Sequence, residues 1–152
     1  MLRLAREKAA AVARAGELVL AADTIVVLAG EILGKPSDAA DGRRMLAALS
    51  GREHTVFSGV ALVEPARAAH AAAVVDSRVV MAAMSDEEIA WYVATGEPAD
   101  KAGAYGIQGF GALFVEEVRG NYTNVVGLPL PAVRRLFGEM GYDLTGFSVA
   151  PT

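Results

Sequence analysis

Cysteine is absent from the chain, which excludes a disulfide framework and any thiolate metal site. Lysine and arginine never cluster and the formal net charge is −4. That argues against an electrostatic platform for nucleic acid. No apolar segment is long enough to span a bilayer, and no charged start leads into an apolar signal core, so the expectation is a soluble, cytoplasmic protein away from membranes. Aromatic residues are sparse at 7%, and much of the 53% hydrophobic content is alanine, which packs closely but contributes little burial per residue. At 152 residues, the chain is one domain's worth with room for a sizeable core.

What is present centres on Leu18 to Leu28, an apolar run enriched in β-branched residues and broken once by Asp23. Short runs of this kind read as strands buried on both faces. A carboxylate in the middle of one costs several kcal/mol unless it finds a partner, a cation or an opening into a site. Asp23-Thr24 is therefore the first functional candidate; a turn or cap role for Asp23 fits poorly inside a continuous apolar run. Ala29-Gly30-Glu31 supplies a tight turn, so Ile25 to Lys35 reads as a hairpin that Pro36 ends.

Around this hairpin, Leu2 to Arg14 is an alanine-rich helix with no capping residue ahead of it. Ser37-Asp38 caps a helix through Leu49, with Met45, Leu46 and Leu49 on its apolar side. His54 to Val63 and Ala69 to Met84 form an antiparallel ribbon, although the alanines of the second segment would equally suit a helix. Ser85 and Glu88, three apart, form a capping box that launches a helix through Ala94. Ala112 to Val118 reads as a strand, Tyr122 to Gly127 as a short return strand, and Leu130 to Met140 as a helix; residues 141–152 form a flexible tail. His54 and His70 lack ligand-spaced partners and read as structural. Trp91 and Tyr92 read as core or dimer contacts.

The second informative stretch is Asp100 to Gly111, with four glycines in the nine residues from Gly103. Such a run is neither core strand nor helix, and lets backbone approach a ligand closely. Asp100, Lys101 and Gln108 add a charged pair and a side-chain amide suited to a polar small molecule.

Six ordered blocks carry a resemblance: Ala22-Asp23-Thr24, Leu33-Gly34-Lys35-Pro36, Leu49-Ser50-Gly51, Gly96-Glu97-Pro98, Asp100 to Gly109, and Asn124-Val125-Val126-Gly127-Leu128-Pro129. In this order, and over nearly the whole chain, they resemble the Maf family of nucleoside triphosphate pyrophosphatases. Gln108 in the glycine loop and Thr24 after the aspartate resemble the branch acting on dTTP and UTP, rather than the branch acting on 7-methyl-GTP. The resemblance implies a Maf/inosine-triphosphatase-like α/β fold. Its features are an elongated, twisted mixed β-sheet flanked by helices, two lobes around a nucleotide cleft, and a homodimer.

It also implies a reaction, the attack of water on the α-phosphorus to give a nucleoside monophosphate and pyrophosphate. Asp23 becomes the catalytic carboxylate, as proton acceptor for the water or as ligand of a divalent cation, Mg²⁺ or Mn²⁺. Lys35, and Lys8 from the opening helix, would neutralise polyphosphate charge, although Lys8 taken alone reads more readily as a solvated surface group and Lys35, before Pro36, also fits an exposed turn. Thr24 and Gln108 would select the base. Asp100, Lys101 and Asn124 are further substrate-binding candidates. Family members begin with a strand, a Ser-rich loop ending in Arg-Arg and a further acidic residue ahead of the first helix here. The resemblance therefore implies an N-terminally shortened member with turnover impaired in this form. The alternative is a non-catalytic nucleotide-binding or division-regulating protein that keeps the cleft.

Overall fold

The computed structural model describes residues 1–146; the rest of the anticipated tail, 147–152, lies outside the described residues. Five helices and five strands follow in the order α1 (Leu2–Val12), β1 (Val19–Leu28), β2 (Glu31–Leu33), α2 (Ala39–Leu49), β3 (Glu53–Glu64), β4 (Ala69–Met81), α3 (Asp86–Ala94), β5 (Val115–Arg119), α4 (Tyr122–Val126) and α5 (Leu130–Glu139). Short 3₁₀ turns fill most of the chain between α3 and β5.

The strands form one sheet in the order β2-β1-β3-β4-β5. All four pairings are antiparallel, so the mixed sheet implied by the resemblance gives way to an antiparallel one among the described residues. The physical reason is connectivity. Short turns join β1 to β2 and β3 to β4, which sets those two pairs antiparallel, whereas β1 pairs β3 and β4 pairs β5 across the longer connections that carry α2 and α3. At 13 residues, β4 extends for roughly 40 Å at the usual rise per residue.

Alternation along the strands divides the packing. On one face, Val26, Leu28, Val56, Val79 and Met81 meet Met45, Leu46 and Leu49 of α2 and Ile89 and Tyr92 of α3. Farther along the same face, Val60 and Leu62 meet Val133, Leu136 and Phe137 of α5, with Leu20, Ala22, Ala71 and Ala73 alongside. The alanines that made β4 ambiguous are thus the floor under α5, where a larger side chain would hold the helix away. The other face takes α1, whose Ala5 and Ala9 are fully buried. A Cβ at Gly59 would lie 2.6 Å from the Leu2 nitrogen, so this glycine sets how closely α1 approaches the sheet.

Helix starts follow their caps. The Asp38 side chain accepts from the Asp41 amide. Ser85 and Glu88 close the anticipated capping box on α3, with Ser85 N donating to Glu88 Oε2 at 2.7 Å.

Three segments differ from expectation. Tyr122 to Gly127 is not a return strand but the short helix α4, because the Asn121 side chain accepts from the Asn124 amide at 2.8 Å and so fixes a helical first turn. Phe110–Phe114 turns as a 3₁₀ segment before β5 begins at Val115. β4 ends at Met81 rather than Met84. Within the start of the anticipated tail, Tyr142 packs on Phe137 and its hydroxyl donates to Glu64 at 2.8 Å.

Candidate active site at the open edge of β1

β2 is only three residues long and pairs with Val26 to Leu28, so the Val19 to Ile25 half of β1 has no neighbouring strand on that side among the described residues. A strand end left open in this way exposes side chains of both faces along one edge. Asp23, on the α1 face, and Thr24, on the face toward α4, therefore line the same pocket of about 240 Å³. Lys8, Lys35, Asp100, Lys101, Tyr105 and Val125 to Gly127 complete its wall.

The aspartate inside the apolar strand has found a partner. Lys8 Nζ lies 2.6 Å from Asp23 Oδ1, and the carboxylate is only 15% exposed whereas the lysine is 55% exposed. A cation reaching in from α1 lets a charged group sit inside β1. Thr24 is held differently. Its hydroxyl lies 2.8 Å from Ser58 Oγ and donates to the Gly127 carbonyl at 3.3 Å. At the opposite rim, the Lys101 ammonium pairs with Asp100. Its hydrogen bond first, and then its charge and that of Lys35, hold the Asp100 carboxyl below the usual carboxylate range. The pocket thus gathers three lysines and two carboxylates.

The glycine loop is tied to this pocket at two levels. Gly103 donates its N–H to the Gly34 carbonyl at 3.0 Å, next to Lys35, and adopts φ +71° with Val26 packed 3.1 Å from where a Cβ would stand. Only glycine suits both constraints. Farther on, Gln108 is exposed in a second pocket of about 340 Å³ lined by Glu97, Lys101, Tyr105, Gly106 to Gly109, Val125 and Val126. Lys101, Tyr105, Val125 and Val126 line both pockets, so they form one cleft, with Lys8, Asp23, Lys35 and Asp100 at one end and Glu97 and the Gln108 amide among glycines, Ile107 and valines at the other.

Of the eight anticipated site residues, seven face this cleft: Lys8, Asp23, Thr24, Lys35, Asp100, Lys101 and Gln108. Asn124 does not. It is fully buried, and its amide donates to the Val56 carbonyl and to Ser77 Oγ, both at 3.0 Å. The substrate-binding expectation for Asn124 is thus corrected to a clamp that holds α4 against β3 and β4.

Tyr105 and Glu97, which pattern reading did not single out for the site, shape the cleft together with Tyr92, read from the sequence as a core or dimer contact and fully buried here. Tyr105 stands where its two parts meet, with its hydroxyl 2.7 Å from His54 Nε2. Burial pushes the Tyr105 phenol up and the His54 imidazole down to about 4. Glu97 and Tyr92 together grip the glycine loop. The one available signal was Glu97 itself, a carboxylate between Gly96 and Pro98 just upstream of a loop rich in free amides.

Fold and cleft define an α/β protein with a polar small-molecule site built over an open strand edge. The chain belongs to the Maf family: the sequence profile described as Maf-like protein matches residues 1–140. A protein named dTTP/UTP pyrophosphatase from Anaeromyxobacter dehalogenans (strain 2CP-C) is 58% identical over 146 residues, covering 95% of this chain and 74% of that protein. The protein of the same name from Dictyoglomus thermophilum is 54% identical over 127 residues, covering 84% of this chain and 66% of its own length. A third, from Moorella thermoacetica, is 50% identical over 145 residues, covering 95% of this chain and 75% of its own length.

Proposed function

We propose that the chain is a nucleoside triphosphate pyrophosphatase that hydrolyses dTTP and UTP to the nucleoside monophosphate and pyrophosphate. The observation that carries this reading is the Lys8–Asp23 pair at one end of a cleft whose other end presents Gln108. Support comes also from the printed name that the relatives share. In this assignment Lys8, Lys35 and Lys101 face the triphosphate, where positioning and charge neutralisation account for most of phosphoryl-transfer catalysis. Asp23, with Oδ1 held by Lys8, orients the attacking water and takes its proton. Gln108 and Thr24 select the pyrimidine, a side-chain amide being able to meet a carbonyl and a ring N–H together.

A divalent cation belongs to the same proposal. Asp23, with Asp100 at the rim, offers the hard oxygen donors that Mg²⁺ or Mn²⁺ takes, one or two carboxylates with phosphate oxygens and water completing the shell. Among the described residues no three His, Asp or Glu side chains converge, so the substrate supplies the remaining ligands. Bound there, the ion supplies charge neutralisation on the phosphates.

Pyrophosphate release from dTTP, UTP, CTP and 7-methyl-GTP, with Mg²⁺ or Mn²⁺, tests this reading. Asp23→Asn should lower kcat by roughly 10²–10⁴-fold, the usual range for a positioned acid–base group, with binding retained. Nucleotide binding without turnover in the unmodified chain would instead assign the cleft to a non-catalytic binding protein. A homodimer in the cytoplasm completes the proposal. Self-association is supported by the exposed neighbours Trp91 and Phe110, 46% and 55% exposed with their rings 5.7 Å apart, and sedimentation of the wild type against Trp91→Ser tests it.

A further inference from the structure

Glu97 stands outside the charged end of the cleft, yet its carboxylate is the most heavily bonded side chain near it. Oε1 accepts from the Tyr92 hydroxyl at 2.7 Å and from the Gly111 amide at 3.0 Å, and Oε2 accepts from the Phe110 amide at 2.8 Å. The Tyr92 hydroxyl in turn accepts from the Gly106 amide at 3.0 Å. Both ends of the segment 106–111 are thereby fastened to one carboxylate–phenol pair. Gln108 lies between the fastened ends, its amide without a hydrogen bond among the described residues. Two glycines exist to make room for the grip. A Cβ at Gly109 would overlap Glu97 Oε2, and one at Gly111 would overlap the Tyr92 hydroxyl and the Gly106 carbonyl.

We propose that Glu97 is a positioning residue for base recognition: it locks the glycine loop so that Gln108 is presented at a fixed place in the cleft, and it sets discrimination between nucleobases rather than the rate of the chemical step. The inference rests on the nucleotide reading above. Tyr92 is fully buried in α3, whose start is fixed by the capping box, so the lock is anchored in the core rather than in another loop. Burial raises the Glu97 carboxyl, but the hydrogen bonds from Gly111, Tyr92 and Phe110 outweigh it and hold the group below its ordinary value. The anchor is therefore an ionised one with charge-assisted bonds. Asp23 and Lys8 are held separately, by β1 and α1, so loosening the loop leaves the reacting end of the cleft in place.

Glu97→Gln tests this, because an amide nitrogen must then face either the Phe110 N–H or the Gly111 N–H and one bond becomes a donor–donor contact. The expected result is a KM for dTTP raised roughly tenfold, with kcat at saturation within about threefold, and a dTTP-to-CTP preference in kcat/KM reduced about tenfold. Tyr92→Phe, which keeps the Phe110 and Gly111 bonds but frees Gly106, should fall between wild type and Glu97→Gln. Amide hydrogen exchange at Phe110 and Gly111 in nucleotide-free protein should accelerate in Glu97→Gln, a readout independent of turnover. An unchanged base preference in Glu97→Gln with a lowered Tm would overturn the proposal in favour of a purely structural role. So would a loss confined to kcat, or unaltered exchange at the two amides. A wild type that turns over no nucleotide would sink the pyrophosphatase reading, and base recognition would then be read from dTMP and CMP dissociation constants, whose ratio Glu97→Gln must still compress.

Discussion

His54 is uncharged in the folded protein at neutral pH. Burial drives its pKa from the ordinary 6.5 down to about 4, and among the described residues its ring has one polar contact, the Tyr105 hydroxyl, with no partner at Nδ1. Because the folded pKa lies below the unfolded one, the unfolded chain binds more protons between about pH 6.5 and 4, and stability falls as the solution is acidified through that window. A pKa moved from 6.5 to about 4 corresponds to roughly 3 kcal/mol once pH has dropped below 4. Thermal unfolding followed from pH 7 to 5 should show this loss beginning, and His54→Phe should flatten the slope there. Reading His54 as structural needed only the absence of ligand-spaced neighbours. Asp23 was legible for the opposite reason: a carboxylate inside an apolar strand violates the local pattern, and the structure supplies Lys8 as its compensation. Asn124 was misread because an amide in a polar-looking segment carries no mark of burial. Only the tertiary contacts with Val56 and Ser77 decide its role.

Among the elements, α4 shows where pattern reading runs out. Tyr122, Thr123, Val125 and Val126 favour a strand by propensity, yet five residues capped by Asn121 form a helix, and propensity yields to a cap and to buried bonds. Ser58, Ser77 and Asn124 form a fully buried polar seam between the cluster under α2 and α3 and the cluster under α5. Ser77 Oγ accepts from the Asn124 amide and the Asn121 N–H and donates to the Asn121 carbonyl, so its capacity is filled. Asn124→Ala would leave the Val56 carbonyl and one Ser77 lone pair without their donor in a dry site. The expected cost is about 3 kcal/mol, near 10 °C in Tm for a domain of this size, measured by calorimetry. A loss under 1 kcal/mol would mean that the seam holds α4 by other contacts. By contrast, α2 and α3 were readable to within a residue, because Asp38 and the Ser85–Glu88 box are local signals that the tertiary fold leaves intact.

At the scale of the whole molecule, six blocks scattered from Ala22 to Pro129 identified the family, and the fold explains their spacing. The Asp23 strand, the Lys35 turn and the glycine loop meet at one sheet edge although some eighty residues separate the first from the last. Sheet closure was less legible, since strand direction depends on which segments pair and no local residue states it. Charge is likewise set by assembly. The chain carries a net charge of −4, yet Lys8, Lys35 and Lys101 converge on the Asp23 end of the cleft, where Asp23 and Asp100 are the carboxylates among the lining residues and Glu97 stands at the other end. A triphosphate meets an anionic protein at long range and a locally cationic one at contact. Screening lengths fall from about 10 Å at 0.1 M salt to about 3 Å at 1 M, which removes the long-range repulsion early and then weakens the contacts to these half-exposed lysines. KM for dTTP should therefore rise several-fold across that range while kcat stays within about twofold, since the Asp23 carboxylate itself is only 15% exposed. The inhibition constant of the uncharged nucleoside should stay flat over the same range, and a salt-independent KM for dTTP would place the phosphates away from the three lysines.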